Sequence, residues 1–179
     1  SCVSVQLKPK LLPDLSGDIF FMPSAPIQEN ALPGIEIQNE HGVCLMIETS
    51  RPLKFLRNDI NPDDILQASG ESLVLATHNN EFADFDAERA LFIDTETTGL
   101  AGGTGTYAFL IGAGFIEGSS FIVRQYFMRD LSEEKAMMAA LSELFGAHEW
   151  SVTYNGRSFD LPLLRTRFIM SRQRPRLDH

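Results

Sequence analysis

The 179 residues of this chain suit one ordinary domain, or a compact domain with a sizeable appendage, and 44% hydrophobic with 22% charged residues excludes disorder along the whole length. Cys2 and Cys44 are too few for a disulfide scaffold or a cysteine-rich zinc site and point to a reducing, cytoplasmic setting, and the longest apolar run, Tyr107 to Ile116, is too short to span a bilayer. The net charge of −9 speaks against wrapping nucleic acid by bulk electrostatics, but it is uneven: residues 1–90 hold 6 bases and 14 acids, residues 91–179 hold 9 and 10. No leader pattern opens the chain, which begins at Ser1 rather than Met and so leaves room for a natural start upstream.

The chain changes character near Arg89. Before it, short apolar runs alternate with turn signals at Leu12-Pro13-Asp14, Met22-Pro23-Ser24 and Leu32-Pro33-Gly34. Residues 1–89 therefore read as a loop-rich extension with short strands. Gly42 to Glu48 is its best strand. Asn61-Pro62-Asp63-Asp64 has the cap, the first-turn proline and the acids of a helix start, with Gly70 as the stop. Ser72 to Thr77 reads as another strand.

From residue 90 the signals strengthen. Leu91 to Ile93 is a buried strand running into Asp94. Tyr107 to Ile116 and Phe121 to Phe127 form a hairpin around Glu117-Gly118-Ser119-Ser120. Asp130 and Glu133 have the spacing of a capping box, and the helix that follows lays Ala136, Met137, Ala140, Leu141, Leu144 and Phe145 on one face before Gly146. Trp150 to Asn155 is a strand, and Asp160 to Ser171 a helix with Pro162 in its first turn. The order β-β-β-α-β-α predicts an α/β fold, a mixed sheet with flanking helices.

Asp94 and Glu96 are two apart on a strand and project to the same side. Adjacent carboxylates repel, and a hard divalent cation such as Mg²⁺ or Mn²⁺ offsets that repulsion; solvated carboxylates at a strand end fit the same pattern. Asp160 lies where the last strand, through Asn155 and Gly156, feeds the last helix. It fits either a third carboxylate of one cleft or an ordinary helix N-cap. Two cations held there would activate water and stabilise a leaving oxygen. Asp178 fits a further acidic neighbour or a surface residue. Arg157, Arg165, Arg167, Arg172, Arg174 and Arg176 fit a solvated helix face or a local phosphate-contacting surface.

The run Asp94-Thr95-Glu96-Thr97-Thr98-Gly99-Leu100 resembles the first motif of the DnaQ-like, DEDD-type 3′–5′ exonucleases, which have a ribonuclease-H-like fold. Asn155 to Asp160 resembles their second motif. With Leu100 to Leu110, Gln125-Tyr126-Phe127 and Thr153 to Leu164, the likeness runs to the YprB-like branch and covers nearly all of residues 90–179. The resemblance implies a metal-dependent exonuclease acting on DNA or RNA ends through two Mg²⁺ or Mn²⁺ ions. Asp94 and Glu96 would bind the metals directly, with Asp160 holding the second ion and Asp178 matching a further acid of the branch. Thr97, Thr98, Gly99 and Leu100 would receive the terminal nucleotide, with Asn155 and Arg157 near its phosphate. The family's third motif, a Tyr or His followed by a fourth metal-binding Asp, sits on a later helix that this sequence does not reach. The expected domain is thus truncated before its last helix, and a non-cleaving nucleic-acid-binding module of the same fold is the alternative.

Other chemistries have thinner support. Gly103-Thr104-Gly105-Thr106-Tyr107-Ala108 matches a dinucleotide fingerprint, which requires a helix where a β-like run follows. The glycines fit better as a loop beside the carboxylates. The four histidines have no ligand spacing, and nothing in the sequence favours a Cys-His nucleophile pair. A partner-binding domain with an acidic first half is the remaining rival class.

Overall fold

The computed structural model describes residues 4–5, 33–55, 70–99, 104–154, 156 and 158–174. Seven strands form one mixed sheet: β1 (Ser4–Val5), β2 (Ile35–Asn39), β3 (Gly42–Pro52), β4 (Ala90–Thr97), β5 (Ala108–Glu117), β6 (Ser120–Phe127) and β7 (Trp150–Thr153). Their order across the sheet is β1-β7-β4-β5-β6-β3-β2. The helices are α1 (Gly70–Thr77), α2 (Glu134–Ala147) and α3 (Asp160–Met170).

β4, β5 and β6 run antiparallel in sequence, and Gly118, at φ 58°, makes the tight turn between the last two. The chain then crosses over through α2 and returns as β7, parallel to β4 on its other side. The expected mixed sheet with flanking helices is present, as is the β-β-β-α-β-α order of residues 90–170. The sheet also draws on the first half of the chain. β3 pairs with β6 from Leu45↔Phe127 to Pro52↔Ser120, β2 folds back onto β3, and β1 lies parallel to β7.

The main core lies between the sheet and α2 with α3. Met137, Met138, Leu141 and Leu144 from α2 and Leu163, Leu164 and Phe168 from α3 meet Leu91, Ile93, Ile111, Ala113, Phe115 and Tyr126. The helical period of α2 makes this possible, and its buried positions are nearly those the sequence pattern marks. Asp130 accepts from the Ser132 N–H at the head of a short 3₁₀ turn, while the Glu133 carboxylate accepts from the backbone N–H of Arg129. The capping box is therefore displaced by one residue from the pattern read in the sequence.

One expected element is of the wrong type. Ser72 to Thr77 belongs to α1, not to a strand, and Gly70 is the first residue of that helix. A six-residue apolar run suits either state, and packing decides between them. A Cβ on Gly70 would fall 2.0 Å from the Ala83 carbonyl oxygen, so only glycine lets the helix start so close to the next turn. Leu73 and Val74 then reach Phe82 and Trp150 on the second face of the sheet. The helix expected from Asn61, and the turns expected before residue 33, lie outside the described residues.

Candidate active site

β4 is the axis of the site. Alternation along it sends Leu91 and Ile93 into the main core, and Ala90 and Phe92 into a smaller cluster with Phe82, Trp150, Leu73 and Val152. Asp94 and Glu96 continue the second face, both exposed, while Thr95 continues the first. Ile93 pairs with Thr153, the last residue of β7, so Asp94 stands at the point where its parallel neighbour ends. Across the antiparallel side, Asp94 faces Gly112 and Glu96 faces Leu110, and the register shifts between Glu96 and Thr97. A Cβ on Gly112 would meet only the Asp94 carbonyl, at 3.9 Å, so the sheet beside Asp94 is kept open.

The helix start comes to the same strand. Asp160 is the first residue of α3 and is 6% exposed. It is not the N-cap: that place belongs to Phe159, which makes no side-chain capping bond. The Asp160 carboxylate instead accepts a hydrogen bond from Thr95 Oγ1 at 2.5 Å. The turn before it is tightened by Leu161 N–H donating to the Gly156 carbonyl at 2.8 Å. A Cβ on Gly156 would fall 1.7 Å from Thr153 Oγ1, so the passage from β7 into α3 admits only glycine there.

Electrostatics ties the carboxylates together. Although Asp94 is exposed, the surrounding sheet desolvates its carboxyl and raises its pKa; the charges of Asp160 and then Glu96 add to this rise. Three hard oxygen donors, with Asp94 in electrostatic range of the other two, suit Mg²⁺ or Mn²⁺. Among the described residues, however, no three His, Cys, Asp or Glu side chains gather round one point as a metal cage would require. The donor chemistry fits a divalent cation, while the closed arrangement does not stand in the described residues.

The segment after the carboxylates is stitched to the start of β5. Thr97 Oγ1 donates to the Gly99 carbonyl at 3.0 Å, Thr98 N–H donates to the Tyr107 carbonyl at 2.9 Å, and Tyr107 N–H donates back to Thr98 Oγ1 at 3.1 Å. Leu100, Asn155, Arg157 and Asp178 lie outside the described residues.

One expectation changes, and two readings the sequence already disfavoured fall away. Arg167 does not belong to a surface run of arginines: it is 1% exposed and paired with Glu134. The dinucleotide fingerprint fails because its Ala108 opens the strand β5 rather than a helix. Cys44 is no nucleophile, since it is buried in the core, with burial and then Glu133 pushing its thiol up to about 11. Thr95, Gly156, Gly112 and Arg167 were not marked as site residues in the sequence. Only Gly112 carried a local signal, a glycine inside a strand, and what it marks here is open space beside Asp94.

A mixed sheet with carboxylates at the end of an inner strand is the arrangement of a nuclease-like fold, and residues 91–179 match the family model of the RNase_H superfamily. The chain belongs to the ribonuclease H superfamily. Within it the chain falls in a YprB-like branch: it is 35% identical over 139 residues to the "Uncharacterized protein YprB" of Bacillus subtilis (strain 168), across 75% of this chain and 33% of that protein. The chain thus spans about a third of the length of that relative.

Proposed function

We propose that residues 90–179 carry the chemistry of a metal-dependent 3′–5′ exonuclease that hydrolyses phosphodiester bonds at DNA or RNA ends, with the first half completing its sheet. The observation that carries this reading is the placement of Asp94 and Glu96 on one side of β4 beside Asp160, which opens α3 and is bonded to Thr95 of the same strand; burial first, then the charges of Asp160 and Glu96, raise the pKa of the Asp94 carboxyl. Divalent cations bound there would supply an activated water and stabilise the departing oxygen. Asp94 and Glu96 would hold them from the open face of β4, and Asp160 from the helix start, with Asp178 as a further acidic neighbour. Thr95 keeps the Asp160 carboxylate at a fixed rotamer through its hydroxyl. Thr97, Thr98, Gly99 and Leu100 receive the terminal nucleotide, and Asn155 and Arg157 approach its phosphate. Among the described residues no helix is long and apolar enough to cross a membrane.

A second reading has one observation in its favour. Asp160 is buried and already bonded to Thr95, and the described carboxylates form no three-membered metal cage. A non-cleaving nucleic-acid-binding module would look the same. The deciding experiment is Mn²⁺-dependent shortening of a 5′-labelled single strand, DNA and RNA in parallel, by this chain and by a version continued past residue 179. Cleavage by either version that is lost in Asp94→Ala establishes the exonuclease. No cleavage of any strand, with binding retained in Asp94→Ala, establishes the binding module.

A further inference from the structure

The largest fully buried side chain among the described residues is a charged one, Arg167. Its Nε and Nη2 donate to the two oxygens of Glu134, the first residue of α2, at 2.5 and 2.7 Å. Its Nη1 donates to the carbonyl of Thr104 at 2.8 Å and, more weakly, to that of Thr106 at 3.4 Å. The guanidinium lies over the Tyr107 ring, 4.0 Å from the centroid. A buried ion pair is a poor source of stability, because apolar side chains of the same volume fill such a place at least as well. What this one supplies is location. A planar fork can hold a carboxylate on one edge and a carbonyl on the other, with a ring beneath; an ammonium cannot.

The segment it holds is the one that leads back to the site. Thr104, Thr106 and Tyr107 form the return into β5, and Tyr107 exchanges two hydrogen bonds with Thr98 at the exit of β4. Arg167 also lies seven residues after Asp160, two turns along α3 and on the same side of the helix. One face of α3 therefore touches β4 through Asp160 and Thr95, and reaches the strand's exit through Arg167 and Tyr107.

We propose that Arg167, oriented by Glu134, is a positioning residue: it fixes Tyr107 and thereby the Thr97–Gly99 stretch on which the end of a single nucleic-acid strand is seated. The assignment rests on the nuclease reading for its substrate, but not for its geometry. Arg167→Met and Glu134→Gln remove the fork and its orienting partner, and Arg167→Lys keeps the charge without the fork.

Two measurements test it. In amide hydrogen exchange, Arg167→Met should speed exchange at Thr98 and Tyr107 about tenfold or more, with amides of the β5–β6 ladder such as Ala113 unchanged and a cooperative thermal transition retained. Glu134→Gln should do the same more mildly, and it serves as the decisive variant if Arg167→Met does not fold. In single-strand cleavage, both variants should raise KM about tenfold while kcat falls less than about threefold, with Arg167→Lys rescuing little. Exchange unchanged at Thr98 and Tyr107, or raised equally throughout the sheet, overturns the proposal. So does a fall in kcat at constant KM, the mark of a smaller folded fraction. If neither this chain nor the version continued past residue 179 cuts any strand, the nuclease reading fails, and the exchange comparison alone decides whether Arg167 positions the segment.

Discussion

On the side of the sheet that carries α2 and α3, one continuous cluster of buried side chains runs from Cys44 on β3 to Leu164 on α3. Across the sheet, the described residues make two small clusters of three buried residues each, around Phe82 with Trp150 and around Leu53 with Ile116. The exposed carboxylates of Asp94 and Glu96 stand on that second side. The difference shows where each task sits. The first face holds the fold, while the second leaves room at the end of β4 for charge that a closed core would exclude.

That contrast can be broken by changes of graded size. Leu164→Ala, at a fully buried position of the large cluster, should cost about 2–5 kcal/mol, whereas Leu73→Ala on the opposite face should cost about 1 kcal/mol; chemical denaturation of the two variants compares them directly. Equal losses would show the two faces to be equally cohesive. Gly156→Ala forces the Thr153 side chain off the passage between β7 and α3 and should destabilise by about 1–3 kcal/mol, or a fall of roughly 2–4 °C in Tm for each kcal/mol. Thr95→Val keeps the shape but removes the donor to a buried carboxylate, for a loss of about 1–3 kcal/mol in the same assay.

The smallest expected effect has the opposite sign. Burial first, then Asp160 and Glu96, raise the Asp94 pKa above its ordinary 3.8. The folded protein therefore favours the protonated acid, and stability is lost as pH rises through the folded-state pKa. Asp94→Asn removes that loss. It should raise Tm by about 1–2 °C at pH 7, a small step because the side chain still reaches the surface, where solvent screens its charge, and the gain should vanish below pH 3.8. Adding Mn²⁺ should stabilise the wild-type protein more than the variant; equal shifts would remove Asp94 from any cation site.

Much of this was legible in the sequence because period and local chemistry spoke together. The hairpin of β5 and β6 follows from two apolar runs around Gly118, and the buried face of α2 from its 3.6-residue repeat. The pairing of Asp94 with Glu96 on one side of β4 is simple alternation. Arg167 was misread because a charged residue in an arginine-rich stretch looks solvated, and its partner Glu134 is far away in sequence. Thr95 was overlooked since a hydroxyl between two acids announces nothing until a helix start comes against it. The docking of β3 on β6 depends on contacts between Glu48 and Arg124, among others, which no local window contains.

The arrangement of the outer strands has a practical consequence. β3 shields the ladder groups of β6, and even the two-residue β1 covers part of β7. A protein trimmed at residue 90, where the sequence changes character, would bare both flanks at once and offer unpaired N–H and C=O rows to any neighbour. Such a fragment should associate edge to edge and precipitate, so solubility, rather than activity, would be the first property lost.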